Sequence, residues 1–158
     1  MNGILDSQSL LNTDLPTLME MAVSKRNLRW GNHITYSRKV FVPLTNMCRD
    51  TCSYCAFVKH PDSPLAKIMS REEVYESVLQ AEKKGCKEVL FSLGEKPEKR
   101  YEKARTELEK LGHKTMIAYL AEMCKWVVQN TGLIPHVNAG TLSEEEIHLL
   151  KPFSGSMG

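Results

Sequence analysis

Cys48, Cys52 and Cys55 fall within eight residues, spaced C-x3-C-x2-C in the segment CRDTCSYC. A thiolate is a soft ligand for zinc or for iron–sulfur clusters. Three of them this close can converge on one metal centre. A structural zinc takes four protein ligands, and His60 is the nearby candidate for the fourth. Three thiolates without a fourth ligand suit a [4Fe–4S] cluster with one iron left open. An open iron can bind a small molecule and pass an electron into it. A third reading, three core cysteines, sits poorly with a polar loop that also carries Arg49 and Asp50. Cys86 and Cys124 stand alone and read as buried thiols.

The elements around these cysteines follow two periods. Lys39–Thr45 (KVFVPLT) is a short apolar run that suits a buried strand, although Pro43 removes a ladder donor. The cysteine loop comes directly after it. Ser70 and Glu73 form a capping box that opens a helix to Lys84, with Val74, Val78 and Ala81 on one face and Gly85 as the stop. Glu88–Leu93 is a second strand and leads into Gly94-Glu95. Pro97 starts the next helix, with an apolar stripe of Tyr101, Ala104, Leu108 and Leu111. The charge-dense stretch 95–110 alternates in sign and reads as a solvated helix. A further helix spans about 115–130. Leu133–Val137 is a third strand, followed by Asn138-Ala139-Gly140. Ser143 and Glu146 cap a helix to Leu150, after which the chain runs KPFSGSMG. Residues 15–26 form an earlier helix.

This alternation is that of βαβ units on a parallel sheet, and it fits an open doubly wound sheet or a barrel equally well. In both architectures sites collect at the C-terminal ends of the strands. The cysteine loop, Gly94-Glu95 and Asn138 each follow one of three successive strands. His136 alternates with Asn138 onto one strand face and is as readily structural as ligand-binding.

The chain has 158 residues, 42% of them hydrophobic and 25% charged, with a net charge of +2. That balance lacks the basic face a nucleic-acid partner needs. No apolar run approaches the ~18 residues of a membrane span, and residues 1–16 lack the pattern of a signal peptide. A cytoplasmic protein with reduced thiols is expected. One domain is the default at this length, and a complete TIM barrel takes about 250 residues.

With Tyr54 ahead of the last cysteine, the C-x3-C-x2-C motif resembles that of the radical S-adenosylmethionine (SAM) superfamily. The resemblance implies that Cys48, Cys52 and Cys55 hold a [4Fe–4S] cluster whose open iron chelates the amino and carboxylate groups of SAM. Electron transfer would then yield methionine and a 5′-deoxyadenosyl radical. Tyr54 would pack beside the adenine, Gly94 and Glu95 would bind the SAM amino group, Asn138 would hydrogen-bond the cofactor, and Ser156 would reach the ribose. Leu93 stands where the superfamily's Gly-Gly-Glu segment has its first glycine.

A longer match runs through Ser37–Asp50, SLGEKPEKRY, LIPHVNAG and LKPFSGSMG. It resembles the 7,8-didemethyl-8-hydroxy-5-deazariboflavin (FO) synthase family, the CofG subunit. Arg49-Asp50 and LGEKPE favour it over CofH-like and menaquinone-pathway radical enzymes, and Ala139 stands where that family leads us to expect proline. The resemblance implies ring closure of an adduct of tyrosine and 5-amino-6-(D-ribitylamino)uracil, with release of ammonia, in coenzyme F-420 biosynthesis. It also implies a reductant protein such as ferredoxin or flavodoxin and functional dependence on the CofH subunit. The implied fold is a partial (β/α)6 barrel. Residues 34–158 would form its N-terminal portion after a helical extension at 1–33. With about three βα units and the start of a fourth strand, the expectation is a fragment of a longer protein.

Overall fold

The computed structural model describes residues 6–158. The chain divides into two compact units, with the boundary between Tyr36 and Ser37. In the first unit, α1 (Ser7–Asn12) and α2 (Leu15–Trp30) are each opened by an aspartate. Asp6 accepts from the backbone N–H of Ser9 and Asp14 from that of Thr17, which satisfies donors a helix start leaves unpaired. The second helix runs four residues beyond the expected Arg26, and α1 was not foreseen.

The second unit is an α/β layer. Its strands β1 (Lys39–Thr45), β2 (Glu88–Leu93), β3 (Ile134–Asn138) and β4 (Ser156–Met157) lie side by side in chain order, and all pairings are parallel. The first two strands have the bounds their apolar runs suggest. The third lies one residue further along. Pro43 is tolerated because β1 is an edge strand, and the register slips between Pro43 and Thr45.

Alternation along the strands gives the sheet two different faces. One face carries Val42, Leu44, Val89, Phe91 and Val137, all buried in a single core. Helices cover it: α3 (Arg71–Lys83) with Val74 and Val78, α4 (Glu102–Lys110) with Leu108, α5 (Met116–Asn130) with Leu120, Met123 and Val127, and α6 (Glu144–Leu150) with Leu150. The other face carries Phe41, Pro43, Ser92, Ile134, His136 and Asn138, which are half-buried or exposed. Both capping boxes form, at Ser70 with Glu73 and at Ser143 with Glu146.

The stretch 95–110 departs from the expected solvated helix. Pro97–Lys99 is a 3-10 turn, Tyr101 is extended, and α4 begins only at Glu102. Lys96 has φ of +32°, and a residue before proline is pushed away from helical backbone, so no continuous helix can start there. Glu95, Lys96 and Glu98 are buried. Lys96 pairs with Glu146 at 2.6 Å, and Glu98 accepts from the Met116 N–H at the start of α5. The Lys96 ion pair and the Glu98 hydrogen bond are both made to partners distant in sequence.

Candidate active site

Three loops leave the C-terminal ends of β1, β2 and β3. The first, residues 46–69, holds the three cysteines and closes on itself at its base. Asn46 donates through Nδ2 to the Leu65 carbonyl and accepts at Oδ1 from Lys67 N–H, while its own carbonyl accepts from Lys59 N–H. Met47 is buried against Ala66 and Ala104, which fixes the chain just before Cys48.

The second loop presses against this point. A Cβ placed on Gly94 would lie 2.0 Å from the Met47 carbonyl oxygen and 2.8 Å from Cys48 Cβ. Only glycine permits that approach. The next residue then reaches both neighbouring loops. Glu95 Oε1 pairs with Arg49 Nη2 at 2.9 Å, and Oε2 accepts from the Thr141 N–H at 2.9 Å. Main chains interlock as well: Arg49 N–H donates to the Glu95 carbonyl at 2.9 Å, and Glu95 N–H donates to Cys48 Sγ at 3.2 Å. Arg100 Nη1 donates to the Arg49 carbonyl at 2.5 Å. In the third loop Gly140 has φ of +73°, and a Cβ there would come within 1.9 Å of Glu95 Oε2.

Cys48 is thus held in place and partly buried, while Cys52 and Cys55 are exposed on the outer part of the loop. A turn joins them, with Cys55 N–H donating to the Cys52 carbonyl. Tyr54, between them, is exposed. All five cysteines are free thiols. Among the described residues no three His, Cys, Asp or Glu side chains are already gathered as a metal site. His60 is hydrogen-bonded with Asp62 and lies edge-on to Tyr101. Cys124 is buried in α5, and desolvation pushes its thiol up to about 12, the behaviour of a structural thiol.

Asn138 sits exposed at the end of β3, in register with Ser92. Ser156 lies lower on the same open face, in register with His136. Its hydroxyl is bonded to His136 Nδ1, and His136 Nε2 meets Glu88 Oε2 at 3.1 Å. Lys39 joins the same carboxylate at 3.3 Å. Glu88 is held below the usual carboxylate range, first by the Ser37 hydroxyl and then by Lys39 and His136. His136 is therefore engaged within the sheet. The expected site residues divide into a group at the loops (Cys48, Gly94, Glu95, with Cys52, Tyr54 and Cys55 beyond) and a separate row across the sheet that includes Ser156.

Arg49, Gly140 and Thr141 belong to the loop junction but were not among the expected site residues, although Arg49 and Gly140 lie in the matched segments Ser37–Asp50 and LIPHVNAG. Arg49 offered one signal, a cation inside the cysteine loop of a chain with an acidic residue after the next strand. The Gly140 contact depends on a long-range approach that no local pattern records.

Residues 42–153 match the radical SAM superfamily. The chain belongs to that superfamily. Proteins of this superfamily generally use a [4Fe–4S] cluster and SAM. Among curated relatives, 7,8-didemethyl-8-hydroxy-5-deazariboflavin synthase of Methanopyrus kandleri is 41% identical over 125 residues, covering 79% of this chain and 37% of that protein. The Methanococcus vannielii protein of the same name is 37% identical over 149 residues, covering 94% of this chain and 41% of that one. FO synthase of Mycobacterium leprae is 43% identical over 129 residues, covering 79% of this chain and 15% of the relative. The chain therefore spans less than half the length of these relatives. Among solved structures, the FeFe-hydrogenase maturase HydG from Carboxydothermus hydrogenoformans superposes with a TM-score of 0.64 at 21% identity. It covers 97% of this chain and 31% of HydG, and it shows the radical SAM fold.

The chemistry of the donor set fits an iron–sulfur cluster. Three reduced thiols lie on one loop, and one already accepts two backbone N–H groups, from Glu95 at 3.2 Å and Asp50 at 3.4 Å. Backbone donors of this kind surround cluster thiolates.

Proposed function

We propose that this chain carries the radical-generating part of an FO synthase. The observation that carries the reading is the set of relatives of that name, 37–43% identical across 79–94% of this chain. Cys48, Cys52 and Cys55 would hold the [4Fe–4S] cluster. When bound, the cluster and SAM supply a 5′-deoxyadenosyl radical for hydrogen abstraction. The substrate would be the tyrosine–ribityluracil adduct, whose ring closure releases ammonia. A small reductant protein would deliver the electron, and the CofH subunit would supply the adduct.

The chain's own residues then bind and orient. Glu95 is buried, with one cationic partner and one N–H donor. A carboxylate offers about four lone-pair sites, so Glu95 keeps acceptor capacity for the SAM ammonium group. Gly94 keeps the Glu95 backbone next to Cys48. Asn138, exposed at the strand end, and Tyr54, exposed on the cysteine loop, are available to the rest of the cofactor. Ser156 would reach the ribose with the lone pair left beside His136.

The test is anaerobic reconstitution with iron and sulfide, then incubation with reductant, SAM and the adduct. 5′-Deoxyadenosine is the expected product of the radical site, and FO in addition would support this substrate. Formation of 5′-deoxyadenosine without FO supports the radical site but not this substrate, and absence of both products overturns the radical site. Stoichiometric zinc without iron overturns the cluster.

A further inference from the structure

Cys48 differs from the other two motif cysteines in its surroundings. Among the described residues it is the one whose sulfur accepts backbone hydrogen bonds, and the shorter comes from a residue 47 positions away. That donor, Glu95 N–H, does not reach Cys48 by chance of loop shape. The residue next to Cys48 grips Glu95 twice, by its own N–H to the Glu95 carbonyl and by its guanidinium to Oε1, both at 2.9 Å. Thr141 N–H holds the second carboxylate oxygen from the opposite side. Glycine at 94 removes the Cβ that would force the two backbones apart. Glu95 is 7% exposed and the Arg49 side chain 36%, so water screens the pair in part, from the Arg49 side.

The geometry points to a tuning role for the Arg49–Glu95 pair: it locks the Glu95 backbone N–H onto Cys48 Sγ and so raises the reduction potential of a cluster held there. The inference rests on the cysteine assignment proposed above. One-electron reduction adds negative charge that spreads onto the thiolate sulfurs. An N–H donor stabilises that added charge, so hydrogen bonds to cluster sulfurs are a lever on the potential. Arg49 and Glu95 act here as positioning residues. Their effect reaches the cluster through a main-chain donor.

The experiment is a potentiometric titration of anaerobically reconstituted protein with dithionite, followed by electron paramagnetic resonance and without SAM. Arg49→Gln and Glu95→Ala are both expected to lower the midpoint potential, and Arg49→Lys to recover part of the fall. Charge alone predicts opposite signs, since removing a cation lowers the potential and removing an anion raises it. A rise in Glu95→Ala, or no shift in Arg49→Gln, overturns the proposal. Should the variants lose their clusters, wild-type protein labelled with 15N-glutamate decides. A 15N coupling to the reduced cluster supports the donor, and its absence overturns it. Wild-type protein that assembles no iron–sulfur cluster removes the cysteine assignment and this inference together, whereas an intact cluster with an unmoved potential removes this inference alone.

Discussion

Gly112 and Gly140 share a left-handed backbone, with φ of +77° and +73°, but not the same surroundings. A Cβ on Gly112 would meet nothing within 4 Å, whereas one on Gly140 would strike Glu95 Oε2 at 1.9 Å. Gly112→Ala is therefore expected to cost about 1 kcal/mol of backbone strain alone. Gly140→Ala carries that strain plus an overpacking cost of about 1–3 kcal/mol. Urea unfolding of the two variants measures the gap, which should close in a Glu95→Ala background. Equal costs in the wild-type background would contradict the placement of Glu95. At this scale the sequence was legible where the signal was local. Three cysteines in eight residues point by type and spacing to a metal centre. The partners of Glu95 did not show, because Arg49 and Thr141 lie 46 positions away on either side and meet it only once the strands align.

Between elements, one polar cluster ties α3 to α5. Arg71 grips Glu122 at 2.5 and 2.9 Å and donates to the Leu111 carbonyl, while His113 bonds the same carboxylate. Glu122 is held below the ordinary glutamate value of 4.5, chiefly by the Arg71 hydrogen bond and further by His113. The folded state therefore prefers ionised Glu122. That preference stabilises fully above 4.5 and is lost as pH falls through the lowered folded value. Glu122→Gln is expected to lower stability at neutral pH by about 1 kcal/mol, a modest figure because the carboxylate is partly exposed. Unfolding from pH 7 to pH 3 should show this gap closing in acid. A gap independent of pH would mean that charge is not what Arg71 reads. Helix starts were legible here because Ser70 with Glu73 and Ser143 with Glu146 are short-range devices. The break at Lys96-Pro97 was harder to place. Alternating charges in the stretch 95–110 suggested solvent, but Lys96 is buried against Glu146, fifty positions on.

For the molecule as a whole, the decisive asymmetry is between the two faces of the sheet. Phe91 is 0% exposed beneath the helices, and Phe41 is 47% exposed on the open face. Phe91→Ala should cost about 3–5 kcal/mol, while Phe41→Ala should cost less than about 1 kcal/mol. Thermal or urea unfolding compares them, and similar losses would show that something covers the open face as well. The βαβ alternation was readable from apolar periodicity, yet periodicity could not separate an open sheet from part of a barrel. That choice depends on how neighbouring strands twist and close, and the structural likeness to HydG supplied it. The sheet's strand order, β1-β2-β3-β4, also repeats the order of synthesis. Each new strand emerging from a ribosome finds its partner already in place: β2 adds to β1, β3 to β2, and β4 to β3. No strand must wait for a later one, and none has to slip between two that are already paired. Parallel sheets are slow to assemble when their contacts are distant along the chain. Here each contact spans a single crossover, so the sheet can be laid down one unit at a time as translation proceeds.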